Sequence, residues 1–343
     1  MSSFKLDRAV TRYAASRGAR NGISLDLQPG EIVALVGPRG SGKTATMRAI
    51  AGVTKPVAGR ITVDAADLES FAGQHKPVRV VEADRHSSGL RSRLIRSQVA
   101  PTLADRVQDA ADQKPRVILL DQPLLGVEPK DRSRVLAEIA RLRSVLGRAA
   151  LVVTIREPAE ALAVADRVVI LRDGEAQQMG TPQQIYRMPA NVYVAALVGS
   201  PTINLVEATM ADGQLSFPGH TLPIPVQTGA ATRDVIVGIR PDALGDAALV
   251  RAAGPSLVVT PTTVLKAGRE KLVRFVVPAQ QVLTSDVRAA VDYRRSIVRD
   301  ESVFTASVSP HSKAKVGQPL ELVASELHVF DAETGKRISF AAA

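Results

Sequence analysis

Apolar and polar positions alternate at Ile23, Leu25 and Leu27, and after Pro29-Gly30 they give way to the unbroken run Ile32-Val33-Ala34-Leu35-Val36. Alternation predicts a half-buried strand closing an antiparallel edge, whereas an unbroken run of this length predicts a strand covered on both faces, as in a parallel sheet. Upstream, Phe4 and Leu6 followed by the turn-like stretch 16–22 predict a first strand and hairpin. Downstream, Ile61 with Val63, Val78–Val81, Leu151–Ile155 and Val168–Leu171 predict further strands, the last ending in a turn at Asp173-Gly174. Helical spacing takes over at Ala45–Ala51, which stops at Gly52. It returns from Pro129 to Leu146, where Val135, Leu136, Ile139, Leu142 and Val145 share a face and Gly147 ends the run. Strands alternating with helices predict an α/β domain.

Between the apolar run at 32–36 and the helix beginning near 45 lies Gly37-Pro38-Arg39-Gly40-Ser41-Gly42-Lys43-Thr44. The stretch matches G-x-x-x-x-G-K-[ST], the P-loop, in the strand–loop–helix order its chemistry needs. Small residues let successive backbone N–H groups converge on phosphate oxygens, and the following helix adds the positive end of its dipole. Lys43 is expected to reach the β and γ phosphates, and Thr44 to hold Mg²⁺ through its hydroxyl. A second anchor is Arg116-Val-Ile-Leu-Leu-Asp121, four apolar residues feeding a carboxylate at a strand end. Asp121 is then either a second Mg²⁺ ligand beside the P-loop or the cap of a turn at Pro123.

Beyond Gly199–Asn204, which reads as a linker, the texture changes to short β runs set off by Pro and Gly. These are Leu205-Val206, Val235–Ile239, Leu257–Val259, Val273–Val277, Leu320–Val323 and Leu327–Phe330. They predict a small barrel or sandwich without a catalytic cluster. The expected division is a nucleotide-binding domain at 1–200 and a β domain at 201–343.

At 343 residues with 45% apolar content, two packed domains are expected. No apolar run reaches the ~18 residues of a membrane span. The absence of cysteine excludes disulfides and zinc–thiolate sites. A net charge of +10 would suit an anionic partner, yet there is no block of like charge and only 3% aromatic content, so a diffuse solvated surface is expected and nucleic acid is not. Lys5, Arg8, Arg12, Arg17 and Arg20 could pass for an import presequence, but the strand-and-hairpin reading of that segment is preferred. His75, His86, His220, His311 and His328 show no metal-ligand spacing.

Taken together, GPRGSGKT at 37–44, LLDQPL at 119–124, ADRVVILRDGEAQQMGTPQQIY at 165–186, VGSPTIN at 198–204, VGIRPD at 237–242 and HVFDAETGKRI at 328–338 resemble one family over nearly the whole chain. It is that of the ATP-binding subunits of carbohydrate ABC importers, of the maltose and sn-glycerol-3-phosphate type. The resemblance implies an ABC ATPase-like α/β P-loop fold followed by an OB-like regulatory barrel. It also implies ATP with Mg²⁺ as ligands, Tyr13 stacked on adenine, Gly37, Pro38, Arg39, Gly40, Ser41, Gly42, Lys43, Thr44 and Ala45 around the phosphates, and Thr44 with Asp121 at the metal. It further implies transmembrane permease subunits and a paired ATPase subunit as partners, at the cytoplasmic face of the cell membrane.

Five departures stand against that pattern. Gln122 occupies the place of the catalytic Glu, and an amide takes no proton from water near neutral pH. Ile155 occupies the place of the switch His in Val153-Thr154-Ile155-Arg156, where the family reads V-T-H-D, and it cannot hydrogen-bond a γ-phosphate. Ala83 takes the place of the Q-loop Gln, and Gln98-Val99-Ala100-Pro101 that of the L-S-G-G-Q signature. Only about 15 positions separate Ala83 from Gln98, room for about one helix of average length, so the helical subdomain is expected to be shortened. The expected protein binds nucleotide, hydrolyses it poorly and pairs with an active ATPase in a heterodimer. Two alternatives are an ATPase whose base has been replaced, Glu128 and Glu157 being the nearest carboxylates in sequence, and a regulatory or assembly protein uncoupled from the membrane subunits.

Overall fold

The computed structural model describes residues 4–19, 21–71, 77–82, 102–224, 232–251, 254–291 and 302–339. The chain forms two compact units, Met1–Met188 and Pro189–Ala343. The division precedes the expected 200/201 boundary because the helix Val192–Leu197 packs in the second unit. There Val192, Ala195 and Ile203 join Ile236, Val282, Val287 and Phe330 in one apolar cluster.

In the first unit the order is β1 (Phe4–Val10), α1 (Arg12–Ser16), β2 (Ile23–Leu27), β3 (Ile32–Val36), α2 (Lys43–Ile50), β4 (Ala58–Val63), β5 (Ala66–Asp67) and β6 (Val78–Glu82). There follow α3 (Leu103–Asp112), β7 (Val117–Asp121), α4 (Pro129–Arg141), α5 (Arg143–Leu146), β8 (Ala150–Ile155), α6 (Pro158–Val164), β9 (Arg167–Arg172), β10 (Glu175–Gly180) and α7 (Pro182–Arg187). Six strands make one sheet in the order β10-β9-β3-β8-β7-β6. Only the β9–β10 hairpin in it is antiparallel. All five residues of β3 are buried, as a strand covered on both faces requires. The alternating strand β2 closes the edge of a four-stranded antiparallel sheet, β2-β1-β4-β5. Leu6, Leu25 and Ile61 of that sheet form one core with Val33, Leu35, Met47, Leu119, Val152 and Leu171.

The expected first strand and hairpin are present, β1 pairing antiparallel with β2, and their connection carries α1: Thr11 caps it by accepting from Ala14 N at 3.1 Å, which sets Tyr13 on a helical turn. One local expectation is corrected. The helix expected at 129–146 is interrupted at Leu142, whose N–H is shared between Glu138 O at 3.2 Å and Ile139 O at 3.1 Å. Ala83, Gln98–Pro101, His75 and His86, and with them the length of any helical subdomain, lie outside the described residues.

The second unit contains strands at all six expected runs. Among the described residues it adds six whose apolar signal is short or diluted, Gln214–Phe217, His220–Pro223, Leu244–Asp246, Pro261–Ala267, Ser302–Val308 and Arg337–Ile338. A six-stranded sheet and two three-stranded sheets share one core that includes Val206, Leu215, Val237, Leu257, Phe275, Phe304, Leu322 and Val329. Every pairing in them is antiparallel.

Candidate functional site

The carboxyl ends of β3, β7 and β8 lie side by side, because β8 pairs with both of the others, Val36 opposite Ile155 and Leu120 opposite Val153. Open parallel sheets place ligands at this end of their strands. Residues 37–42 leave β3 there and turn into α2, with Gly42 as the residue before the helix. Gly42 has φ +98°, and a Cβ on it would lie 2.7 Å from Gly174 Cα. Gly174 in turn has φ +85° and packs on Ala14, while its N–H donates to Ser41 O at 2.9 Å. The P-loop is thus clasped between α1 and the β9–β10 turn, and only glycine fits at either contact.

The loop lines a cavity of about 530 Å³ together with Tyr13, Thr44, Ala45, Gln122, Leu125 and Arg156. Lys43 is buried, and its Nζ donates to Gly37 O at 2.7 Å, Pro38 O at 2.8 Å and Ser41 Oγ at 3.2 Å. Burial is the main cause that pulls its pKa down to about 8. The neighbouring Arg156 guanidinium adds to this and the Asp121 carboxylate opposes it. Tyr13 is tied to the loop by its hydroxyl, which donates to Gly40 O, and the Arg17 guanidinium lies 5.6 Å from its ring centroid.

Asp121 stands at the end of β7, where its Oδ1 accepts from Thr154 Oγ1 at 2.5 Å. The same hydroxyl oxygen accepts from Gln122 N at 2.7 Å. Thr154 is fully buried, and with these two bonds it fixes the 121–122 backbone, in which Gln122 holds φ +48°. The following turn is closed by Leu125 N donating to Gln122 O at 3.0 Å. For Mg²⁺ the chain offers the Thr44 hydroxyl on the cavity wall and the oxygen of Asp121 left free by Thr154. Such a sparse set fits an ion whose remaining ligands are phosphate and water. Among the described residues no group of three His, Cys, Asp or Glu side chains could form an all-protein metal cage.

The structure therefore gathers Tyr13, Arg39, Gly40, Ser41, Gly42, Lys43, Thr44, Ala45 and Gln122 at one cavity. Gly37 and Pro38 act through the carbonyls that hold Lys43. Ile155 is buried in β8 and does not line the cavity; its neighbour Arg156 does. Neither alternative base reaches the wall: Glu128 precedes α4 and pairs with Lys130 at 2.9 Å, and Glu157 precedes α6. Sequence reasoning missed Thr154 and Arg156 as site residues. Their signal was position alone, one residue on either side of the expected switch residue at the end of a parallel strand.

A strand, a glycine-rich loop, a buried lysine and a strand-end aspartate on a parallel sheet define a P-loop nucleotide-binding domain. Residues 20–124 match the family described as ABC transporter, and residues 199–244 match the MalK OB fold domain. The chain therefore carries an ABC ATPase P-loop fold followed by a MalK-type OB-fold domain, and the relatives it resembles along its length are ATP-binding proteins of ABC importers. It is 28% identical to the sulfoquinovosyl glycerol transport ATP-binding protein of Agrobacterium fabrum, over 98% of this chain and 100% of that relative. Identity is also 28% to the trehalose import ATP-binding protein of Mycobacterium tuberculosis, over 99% of both chains. With the sn-glycerol-3-phosphate import ATP-binding protein of Vibrio vulnificus it is 27%, over 69% of this chain and 74% of that relative.

Proposed function

We propose that this protein is the ATP-binding subunit of an importer for a sugar or glycerol-phosphate-like solute, and that it binds ATP with little or no hydrolysis. The solute class is supported by the names of relatives that match along the whole chain. One observation carries the rest: at the place of the family's catalytic Glu, the cavity wall holds the Gln122 amide, and no carboxylate lines the cavity among the described residues. Tyr13 would meet the base, residues 37–45 would bind the phosphates, and Thr44 with Asp121 would hold Mg²⁺, which shields phosphate charge when bound. Gln122 can orient a water by hydrogen bonding but cannot take its proton.

Such a subunit works beside a complete ATPase subunit and docks on transmembrane permease subunits at the inner face of the membrane. Among the described residues no helix is long and apolar enough to cross a membrane, which fits attachment through partners. The test is calorimetric titration of the purified chain with Mg-ATP beside Lys43→Ala, with phosphate release followed in the same samples. Binding that requires Lys43, with release no faster in the wild type than in the variant, is expected. Lys43-dependent turnover would overturn the hydrolysis-deficient reading, and absence of binding would overturn the nucleotide reading itself.

A further inference from the structure

Among the described residues, Tyr13 is the one aromatic side chain in the wall of the P-loop cavity. Its hydroxyl donates to Gly40 O, and its ring edge leans on the loop: a Cβ on Gly42 would lie 3.5 Å from Tyr13 Cδ1, and one on Gly40 would lie 3.7 Å from the hydroxyl oxygen. Arg17, at the carboxyl end of α1, lies over the same ring with its Cζ 5.6 Å from the centroid. Arg17 is exposed and takes no part in the cavity wall. The ring therefore stands between a cation and the cavity.

A cation over one face of an aromatic ring is attracted by the ring's quadrupole and draws electron density toward itself. This orients the ring and makes its opposite face a better platform for a stacked base. We propose that Arg17 is a positioning residue for the nucleobase, holding Tyr13 from behind so that base, ring and guanidinium stack in that order. This rests on the nucleotide reading above and divides its site into two halves. Residues 37–45 form the phosphate half and Tyr13 with Arg17 the base half, and the two meet where Tyr13 donates to Gly40 O. Replacing the Arg17 side chain leaves the helix end intact, because it is the backbone N–H of Arg17 that caps α1, donating to Ala14 O at 3.0 Å.

The test is calorimetric titration of the full chain with Mg-ATP and with magnesium tripolyphosphate, which offers phosphates without a base. Arg17→Gln is expected to weaken ATP binding about threefold, the weight of one exposed cation–π contact, and to leave tripolyphosphate binding unchanged. Arg17→Lys keeps a cation and should stay near wild type. On a Tyr13→Ala background, Arg17→Gln should weaken ATP no further, since the ring that transmits its effect is gone. Stacking is read separately by the fluorescence quenching of aminopurine ribonucleoside triphosphate on binding, which should be weaker in Arg17→Gln than in wild type. Equal weakening of ATP and tripolyphosphate, tighter ATP binding by Arg17→Gln, or no change in affinity or quenching overturns this inference and leaves the nucleotide reading standing. No ATP binding by the wild type overturns both.

Discussion

Replacing Thr154 by Val keeps the shape of a buried, β-branched strand residue and removes only its hydroxyl. That hydroxyl donates to Asp121 Oδ1 at 2.5 Å and accepts from Gln122 N at 2.7 Å. A hydrogen bond to a charged group contributes about 1.5–3 kcal/mol, and a buried N–H left without a partner costs about 1–3 kcal/mol. Asp121 and Gln122 are each only partly buried, so water recovers some of both terms. The expected loss of stability is about 2–3 kcal/mol. Thr154→Ser is the control, since it keeps the hydroxyl and loses one methyl group, worth about 1 kcal/mol. The assay is urea unfolding followed by far-UV circular dichroism, with hydrogen exchange at the Gln122 amide to locate the change. In the Val variant that amide should exchange far faster. A Val variant as stable as the Ser variant, with the Gln122 amide still protected, would refute the claim that Thr154 fixes the 121–122 backbone.

Three further outcomes are expected. Lys43 titrates near 8 and must be charged to hold phosphate, so ATP affinity measured by calorimetry should be level below pH 7.5 and fall by up to about tenfold per pH unit above 8. His328 is fully buried, and desolvation first, then Arg240 and Arg337, press its pKa from 6.5 to about 3. The folded state therefore resists a proton that the unfolded chain accepts. Its share of stability is complete above pH 6.5 and is lost by up to about 1.4 kcal/mol per pH unit toward pH 3. In acid denaturation series, His328→Phe should lose less stability than wild type across that window. Gly42→Ala adds a Cβ 2.7 Å from Gly174 Cα at φ +98° and should cost about 2 kcal/mol or more in thermal unfolding and abolish Lys43-dependent binding.

The parallel sheet and its loop were legible in the chain because each strand signal there is a continuous apolar run: Ile32–Val36, Val117–Leu120 and Leu151–Ile155 all became buried strands. The P-loop was legible because its chemistry lies in consecutive residues. What escaped was made by tertiary contact. Thr154 lies within an apolar strand, and its role exists only because β8 lies beside β7. Arg156 follows the same strand, and the sheet carries it to the cavity. The clasp of Ala14, Gly42 and Gly174 joins three distant stretches that no periodicity connects. In the second unit, Ser302–Val308 went unread because exposed Val303 and half-buried Thr305 blur its alternation.

The central place of β3 also bears on synthesis. Ile32 pairs with Leu151 and Val33 with Arg167, partners that leave the ribosome about 120 residues or more after β3 itself. Until then five apolar residues have no parallel neighbour, and the Gly42–Gly174 contact cannot form. A chain of this topology is slow to close and open to aggregation while it grows, as non-local strand pairing implies. Nascent chains stalled before residue 150 should therefore be held by chaperones, and the P-loop is clasped by Gly174 only after the β9–β10 hairpin has emerged and docked.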